Sequence, residues 1–210
     1  MTDVDIKADS VILKGILTIP KGAIGMVLFA HGSGSSRFSK RNQFVAEELN
    51  KAGIATLLLD LLTVEEEAID EQTAELRFDI ELLAGRLEGA TKWLKQQPAT
   101  KKLNIGYFGA STGAAAALFA AAAFPDTKAV VSRGGRPDLA YDILFKVDAP
   151  TLLIVGGNDT VVIGMNEKAL KKLKKGKLEI VPGATHLFEE PGKLEEVAQR
   201  AADWFKKYLQ

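Results

Sequence analysis

Cysteine is absent from the chain, and histidine is scarce, with only His31 and His186 among 210 residues. Without cysteine there is no disulfide bond, no thiolate metal site and no cysteine nucleophile. Two histidines exclude a metal site built from several imidazoles, and no carboxylates are clustered at the spacing of metal ligands. We therefore expect neither a metal ion nor another cofactor, and a histidine base would have to be one of these two residues.

An excess of one charge and long apolar runs are absent as well. Lysine and arginine together number 27, as do aspartate and glutamate, so net charge gives no reason to expect nucleic acid or an anionic membrane as a partner. No apolar segment reaches the roughly 20 residues of a membrane-spanning helix, and residues 1–5 do not resemble a signal peptide. We expect one soluble, cytoplasmic domain over residues 1–210 that acts on a small molecule, and nothing indicates its oligomeric state.

Strand-like and helix-like segments alternate along the chain, which is typical of an α/β fold with a mostly parallel sheet and helices on both faces. Alternating apolar and polar residues at 4–7 and 11–19 predict an antiparallel pair at the sheet edge. Further strands are predicted at 24–30, 54–59, 103–108, 129–132, 151–155 and 177–181. Helices are predicted at 41–52, 64–96, 112–124, 139–145, 165–173 and 194–208.

A serine lies between a predicted strand and a predicted helix in the pentapeptide Gly109-Ala110-Ser111-Thr112-Gly113. In this context Gly-x-Ser-x-Gly is typical of a nucleophile elbow, a sharp turn that exposes the serine hydroxyl beside a helix N-terminus. Side chains at Gly109 and Gly113 would collide with neighbouring backbone as the turn tightens. The segment is also consistent with a glycine-rich turn in which Ser111 only caps the helix.

Ligands of an open parallel sheet bind at the carboxyl ends of its strands. Four loops follow predicted strands and should share that edge, at 31–36, 109–113, 156–159 and 182–186. They bring Ser111, Asp159 and His186 together, in the chain order of the α/β-hydrolase triad. Asp142 and Asp148 precede the strand at 151–155 and therefore belong to the opposite end of the sheet.

The chain resembles the α/β-hydrolases, and within them the dienelactone hydrolase-like branch, which is compact and has no lid domain. The resemblance extends from about Met26 to the C-terminus. It rests on four motifs: Phe29-Ala30-His31-Gly32-Ser33-Gly34, the elbow around Ser111, Leu153-Ile154-Val155-Gly156-Gly157-Asn158-Asp159, and Gly183-Ala184-Thr185-His186-Leu187-Phe188. One difference is that dienelactone hydrolases proper use a cysteine nucleophile, whereas serine stands at that position here.

The resemblance implies an α/β-hydrolase fold and a triad in which Ser111 attacks an acyl carbon, His186 transfers the proton and Asp159 orients the imidazole. An oxyanion needs two donors, and these would be the backbone N–H groups of Thr112, the residue after the nucleophile, and of Ser33.

Three further residues near these loops have two interpretations each. We expect His31 to order its own loop through hydrogen bonds rather than to take part in the chemistry. Arg133 and Arg136 follow a predicted strand and are candidates to contact a substrate carboxylate, although pairing with surface acids is equally consistent. Only the short segment 133–150 separates that strand from the next, so we expect no large cap over the site.

The predicted function is that of a serine carboxylesterase or lactonase-type hydrolase acting on small to medium substrates. Two alternatives stay open. The same triad serves acyltransferases and thioesterases, because the first half-reaction is shared. An α/β-hydrolase fold also occurs in proteins that bind a ligand without catalysis.

Overall fold

The computed structural model describes residues 1–210 and contains one eight-stranded sheet. The strands are β1 (Thr2–Ala8), β2 (Val11–Thr18), β3 (Met26–Ala30), β4 (Ala55–Leu59), β5 (Ile105–Ala110), β6 (Ala129–Arg133), β7 (Thr151–Gly156) and β8 (Gly176–Val181). Their spatial order is β1-β2-β4-β3-β5-β6-β7-β8. The β1–β2 and β2–β4 pairs are antiparallel and the other five neighbouring pairs are parallel. The predicted sheet, with an antiparallel pair at one edge, is confirmed.

Helices cover both faces of this sheet, as predicted. They are α1 (Lys40–Lys51), α2 (Val64–Thr73), α3 (Ile80–Gln96), α4 (Thr112–Ala123), α5 (Thr160–Leu170) and α6 (Lys193–Tyr208). None of the six combines the length and the apolar character that crossing a membrane requires. Helices α3 and α4 pack against each other, and so do α1 and α6.

Strand β3 shows how the sequence builds the two cores on either side of the sheet. All five of its residues are buried. Met26, Leu28 and Ala30 join the core under α3 and α4, whereas Val27 and Phe29 join the core under α1 and α6. A strand with helices on both faces needs apolar residues at every position, because its side chains alternate between two dry interiors.

The single helix predicted over 64–96 is wrong, because the chain breaks between α2 and α3. Ala74 ends α2 in the left-handed conformation, with φ of 56°. The side chain of Asp79 then caps α3. Arg77 lies between them and donates its backbone N–H to the Asp70 carboxylate at 2.9 Å and its Nε at 2.6 Å. These hydrogen bonds from Arg77 to the Asp70 carboxylate stabilise a turn that the spacing of apolar residues alone does not reveal.

Two further helix predictions need correction. The segment predicted as a helix over 139–145 forms two 3-10 turns instead, at Pro137–Ala140 and Leu144–Lys146. The helix predicted over 165–173 begins earlier, at Thr160, directly after Asp159. Its first turn contains β-branched residues, which have low helix propensity, but burial of Val162 fixes the helix there. The segment after β6 holds no large inserted domain.

Candidate active site

Ser111 stands at the turn between β5 and α4 in a strained backbone conformation. Its φ is 50° and its ψ is −121°, in a region that side-chain-bearing residues rarely adopt. Backbone hydrogen bonds to β6 and to the loop that follows it hold Ser111 there. The Ser111 N–H donates to the Arg133 carbonyl at 3.2 Å, and the Ser111 carbonyl accepts from the Arg136 N–H at 3.1 Å. The turn therefore presents the hydroxyl at the carboxyl edge of the sheet.

The two glycines of the pentapeptide allow the backbone to close around this serine. A Cβ atom on Gly109 would lie 2.4 Å from Ala114 Cα. A Cβ atom on Gly113 would lie 2.3 Å from the Ala30 carbonyl oxygen. Both neighbours are backbone atoms that cannot move aside, so neither position accepts a side chain without reshaping the elbow.

The loops after β7 and β8 bring Asp159 and His186 into contact. The distance between His186 Nδ1 and Asp159 Oδ2 is 2.7 Å. An ionised carboxylate only accepts hydrogen bonds, so Nδ1 carries the proton and the Nε2 of the neutral ring is left as an acceptor. The Asp159 side chain is 16% exposed and that of His186 is 38% exposed, so the ring reaches the surface of the site.

Two further residues, neither anticipated from the sequence, constrain the position of His186. The Glu190 carboxylate accepts from the Thr185 N–H at 3.1 and 3.2 Å, and these hydrogen bonds lower the pKa of Glu190. Gly134, with φ of 52°, lies against the imidazole, and a Cβ atom there would be 3.5 Å from His186 Cε1 and Nδ1. The loop after β6 therefore contacts both Ser111 and His186.

Ser111 and His186 line one cavity of about 230 Å³. Ser111 Oγ makes no hydrogen bond to His186 Nε2. Such a bond is often long or absent until substrate binds. The remaining walls come mainly from the loop after β3, the start of α1 and Arg133.

Of the two N–H groups predicted to bind an oxyanion, one lies within the elbow and the other in the loop after β3. The Thr112 N–H belongs to the first turn of α4, where helical N–H groups have no acceptor within the helix. The Ser33 N–H donates to the Thr112 side-chain hydroxyl at 2.9 Å. The two predicted donors are thus adjacent, and one of them is already paired.

His31 links the loop after β3 to the loop after β4. Its Nε2 accepts from the Leu61 N–H at 3.1 Å, which assigns the ring proton to Nδ1, and Nδ1 donates to the Gly32 carbonyl at 2.9 Å. Burial lowers the pKa of His31 and so favours the neutral ring. These contacts agree with the expected role in ordering the loop.

Arg133 and Arg136, which the sequence made equal candidates for a substrate contact, have different surroundings in the structure. Arg136 donates from Nε and Nη2 to the Asp138 carboxylate, at 2.9 and 2.8 Å, and does not line the cavity. Arg133 does line it, is 7% exposed and has no carboxylate partner. Burial, together with the nearby charge of Arg41, lowers the pKa of Arg133 to about 10, so the group stays charged at neutral pH.

Asn42 in α1 is the residue of the cavity wall that contacts Arg133. Its Oδ1 accepts from Arg133 Nη2 at 3.3 Å, and its side chain is almost fully buried. The sequence does contain a signal for this position. Asn42 lies three, four and seven residues before the buried Val45, Ala46 and Leu49, which places a polar side chain on the inward face of α1.

Known proteins resemble this chain in sequence and in fold. Two Mycobacterium tuberculosis proteins with the provisional name phosphoribosyl transferase are 58% identical to the chain over 209 residues. The match covers 99% of this chain but 46% of each of those proteins, so the chain spans about half the length of these curated relatives. The crystal structure of a dienelactone hydrolase from Anabaena variabilis is 62% identical, with a TM-score of 0.98 and coverage of 100% of this chain and 98% of that one.

More distant structures share the fold. Est1E from Butyrivibrio proteoclasticus is 18% identical, with a TM-score of 0.83 and coverage of 99% and 98%. A Pyrococcus furiosus esterase is 20% identical, with a TM-score of 0.77 and coverage of 100% and 91%. The model of the dienelactone hydrolase family matches residues 13–210. The chain therefore belongs to the dienelactone hydrolase family.

Proposed function

We propose that the protein is a serine hydrolase that cleaves small to medium carboxylic esters or lactones through an acyl-enzyme intermediate. The observation that most directly supports this is the meeting of two features in one cavity. Ser111 stands in a strained conformation at the edge of the sheet, and His186, bound to Asp159 at 2.7 Å, lines the cavity that Ser111 lines. A nucleophile, a base and an orienting acid are the groups that acyl transfer to serine requires.

In the first half-reaction, Ser111 Oγ forms a bond to the acyl carbon while His186 Nε2 accepts the hydroxyl proton. The tetrahedral intermediate then collapses, the bond to the leaving oxygen breaks, and His186 gives that oxygen its proton. In the second half-reaction, water attacks the acyl-enzyme with His186 again as base. The acid is released and Ser111 regains its proton. Asp159 remains ionised throughout and stabilises the imidazolium.

The backbone N–H groups of Thr112 and Ser33 are the proposed donors to the oxyanion of each tetrahedral intermediate. Their positions beside the elbow support this role. Loss of one such donor typically costs about 3 kcal/mol of transition-state stabilisation.

The surroundings of the site favour small or medium substrates. The segment between β6 and β7 contains only short 3-10 turns, so no cap covers the cavity from that side. A cavity of about 230 Å³ lies below the usual range for drug-sized ligands, roughly 300–1,000 Å³.

The surroundings of Arg133 favour a substrate that carries an anionic group, such as a carboxylate. The Arg133 guanidinium lines the cavity without a carboxylate partner, and the one hydrogen bond of this group is the long one to Asn42 Oδ1. A buried charge without a partner is unfavourable by several kcal/mol, and a bound carboxylate would supply that partner in a two-pronged geometry. Arg136 already has such a partner in Asp138, so the proposed contact belongs to Arg133 and does not include Arg136.

A fluorophosphonate probe tests the proposed nucleophile. Peptide mapping should locate the label at Ser111, and Ser111→Ala should abolish both labelling and hydrolysis of p-nitrophenyl acetate while circular dichroism stays unchanged. His186→Ala should also suppress labelling. Ser35→Ala is a matched control, because Ser35 lines the same cavity. Labelling at Ser35, or hydrolysis at the wild-type rate by Ser111→Ala, would contradict the mechanism. Folded wild-type protein that does not react would favour the ligand-binding alternative.

A pair of substrates tests the anion contact. We expect Arg133→Gln to lower kcat/KM for the p-nitrophenyl monoester of glutaric acid about 10- to 100-fold more than for the neutral p-nitrophenyl butyrate, the effect of losing a charge-assisted hydrogen bond. Arg136→Gln should change the two values equally. An equal loss with both substrates in Arg133→Gln would assign that arginine a purely structural role.

Two other activities use the same first half-reaction, and kinetics separate them from hydrolysis. A preferred acceptor other than water would give ping-pong kinetics with added alcohols or thiols. The transferase name of the two mycobacterial proteins does not transfer to this chain, since more than half of each lies outside the matched region.

A further inference from the structure

We propose that the side-chain hydroxyl of Thr112 is a positioning group for the oxyanion hole. This inference rests on the proposed serine hydrolase function and extends it. In that function Thr112 contributes its backbone N–H, as any residue after a nucleophile does. The additional role depends on the chemistry of this particular side chain, which a different residue at the same position would not supply.

The contact behind this proposal joins two loops that are far apart in sequence. The Ser33 N–H donates to Thr112 Oγ1 at 2.9 Å across 79 positions of the chain. Thr112 is 3% exposed and is the first residue of α4, so the helix backbone and the surrounding core hold its side chain in place. Ser33, in contrast, is exposed in a loop. The rigid partner therefore orients the exposed one.

The other hydrogen bonds of the Ser33 loop hold it elsewhere. His31 Nε2 accepts from the Leu61 N–H at 3.1 Å, which ties the loop to the chain after β4. The Gly32 carbonyl accepts from the Ser35 N–H at 3.2 Å, which closes a turn within the loop. Neither bond reaches the elbow. The hydrogen bond to the Thr112 hydroxyl is the one that joins the Ser33 N–H to the elbow.

A hydroxyl oxygen in this position acts as a substitute acceptor in the free protein. It holds the Ser33 N–H toward the elbow before any substrate is bound. When a carbonyl oxygen acquires negative charge beside Ser111, it becomes the stronger acceptor, and the N–H donates to it with little reorientation. Donors that are already aimed at the developing charge contribute most to catalysis, because no reorganisation accompanies the reaction.

Two substitutions separate the hydroxyl from the rest of the side chain. Thr112→Val keeps the shape and the backbone N–H but removes the acceptor, which leaves the Ser33 N–H to water. We expect kcat to fall about 10- to 100-fold, less than or equal to the loss of a whole donor, with KM little changed, since the contact acts on the transition state. Thr112→Ser restores the hydroxyl and should recover most of the lost kcat.

A second measurement tests whether the contact acts on the tetrahedral transition state. The affinity of an alkyl boronic acid, which forms a tetrahedral anionic adduct with serine, should fall in Thr112→Val by the factor by which kcat/KM falls. Thr100→Val is the control: Thr100 is also fully buried, and its Oγ1 donates to the Leu94 carbonyl at 2.7 Å, before β5 and so at the opposite end of the sheet. It should leave kcat unchanged.

The outcomes distinguish this inference from the proposed function. An active wild type with an equally active Thr112→Val variant would overturn the positioning role alone. A Thr112→Ser variant as slow as Thr112→Val would overturn it too, because the hydroxyl would then not be the group that matters. A folded wild type that neither turns over esters nor reacts with the boronic acid would overturn the function and this inference together.

Discussion

Asp159 and Asp148 lie at opposite ends of the same strand, β7, so one carboxylate can be tested against the other. Asp159 follows the strand and binds His186 Nδ1 at 2.7 Å. Asp148 precedes it and pairs with Lys174 at 2.7 Å on the surface. We expect Asp159→Asn to lower kcat by about three to four orders of magnitude, because an amide permits the wrong imidazole tautomer.

The matched variant Asp148→Asn should retain the wild-type kcat, since its carboxylate belongs to the far end of the sheet. Steady-state kinetics on p-nitrophenyl acetate measure both. A loss of less than tenfold in Asp159→Asn would mean that another acid orients His186. Glu190 would then be the first to examine, because its carboxylate binds the residue before His186.

We expect His31 to contribute to the pH dependence of the free energy of unfolding. Burial lowers its pKa in the folded state below the value of about 6.5 for an exposed histidine. The unfolded chain therefore binds a proton more readily, so this contribution is fully present above about pH 6.5 and is lost as pH falls below it. We expect the free energy of unfolding to decrease between pH 7 and pH 5.

Urea unfolding of the wild type and of His31→Gln at several pH values tests this expectation. The variant should be less stable at pH 7, because its side chain does not reproduce both hydrogen bonds, but its stability should depend less on pH in that interval. Equal slopes in the two proteins would show that His31 is not the titrating group.

At the scale of single residues, the sequence predicts the positions in the site that follow from strand ends. Ser111, Asp159 and His186 each lie in a segment that follows a parallel strand, and parallel strands bring their carboxyl ends together. The differing roles of Arg133 and Arg136 are not predictable in this way. They depend on which guanidinium finds a carboxylate nearby, and the sequence near both is equally rich in charged residues.

Among the larger elements, the loop after β6 connects Ser111, the proposed nucleophile, to His186, the proposed base. Its backbone hydrogen-bonds on both sides of Ser111, its Gly134 lies against the His186 ring, and the buried Asn166 of α5 donates to its Gly135 carbonyl at 3.1 Å. Helix α5 begins directly after Asp159. The loop thus contacts Ser111 and His186 directly, and Asn166 links it to α5, the helix that follows Asp159.

We expect Gly134→Ala to lower kcat at least tenfold through displacement of His186, since the new Cβ would lie 3.1 Å from the His186 carbonyl oxygen. Gly22→Ala is the matched control, because Gly22 also has a positive φ, of 72°, but has nothing within 4 Å of its added Cβ. Both variants should lose about 1–2 kcal/mol of stability from the left-handed backbone. Only Gly134→Ala should lose activity, measured by kcat and by the rate of fluorophosphonate labelling. Wild-type kcat in Gly134→Ala would show that the loop does not control the position of His186.

The largest error in the predicted elements concerns the region between α2 and α3. Helical periodicity persists across it, and nothing in the apolar pattern indicates an interruption. The break depends on Arg77 reaching back to Asp70 and on Ala74 adopting a conformation that alanine rarely occupies. Contacts of this kind depend on side-chain geometry, which neither propensity nor spacing contains.

For the molecule as a whole, the fold is predictable because strands and helices alternate so regularly. Continuous apolar runs such as β3 require two dry faces, and this fixes helices on both sides of the sheet. The order of the strands within the sheet does not follow from the alternation of strands and helices alone. The chain places β4 beyond β3 and then crosses back to β5, which puts the loop after β3 beside the elbow.

Because the two faces of the sheet have separate cores, stability and activity should respond differently to a change in the core under α1 and α6. Phe205 of α6 is fully buried against Gly106, at the amino half of β5. Ser111 lies five residues further along the chain, about 16 Å away at the rise of an extended strand. Removal of this ring should therefore leave the site undisturbed while it weakens the fold.

We expect Phe205→Ala to lower the free energy of unfolding by about 3–5 kcal/mol through loss of buried area and formation of a cavity. Well below its melting temperature, the variant should keep the wild-type kcat. Lys207→Ala, an exposed position on the same helix, should change stability by no more than about 0.5 kcal/mol. Urea denaturation and steady-state kinetics on the same samples provide both quantities. A fall in kcat of fully folded Phe205→Ala would mean that this core also determines the geometry of the elbow, and that the two faces of the sheet are coupled through β5.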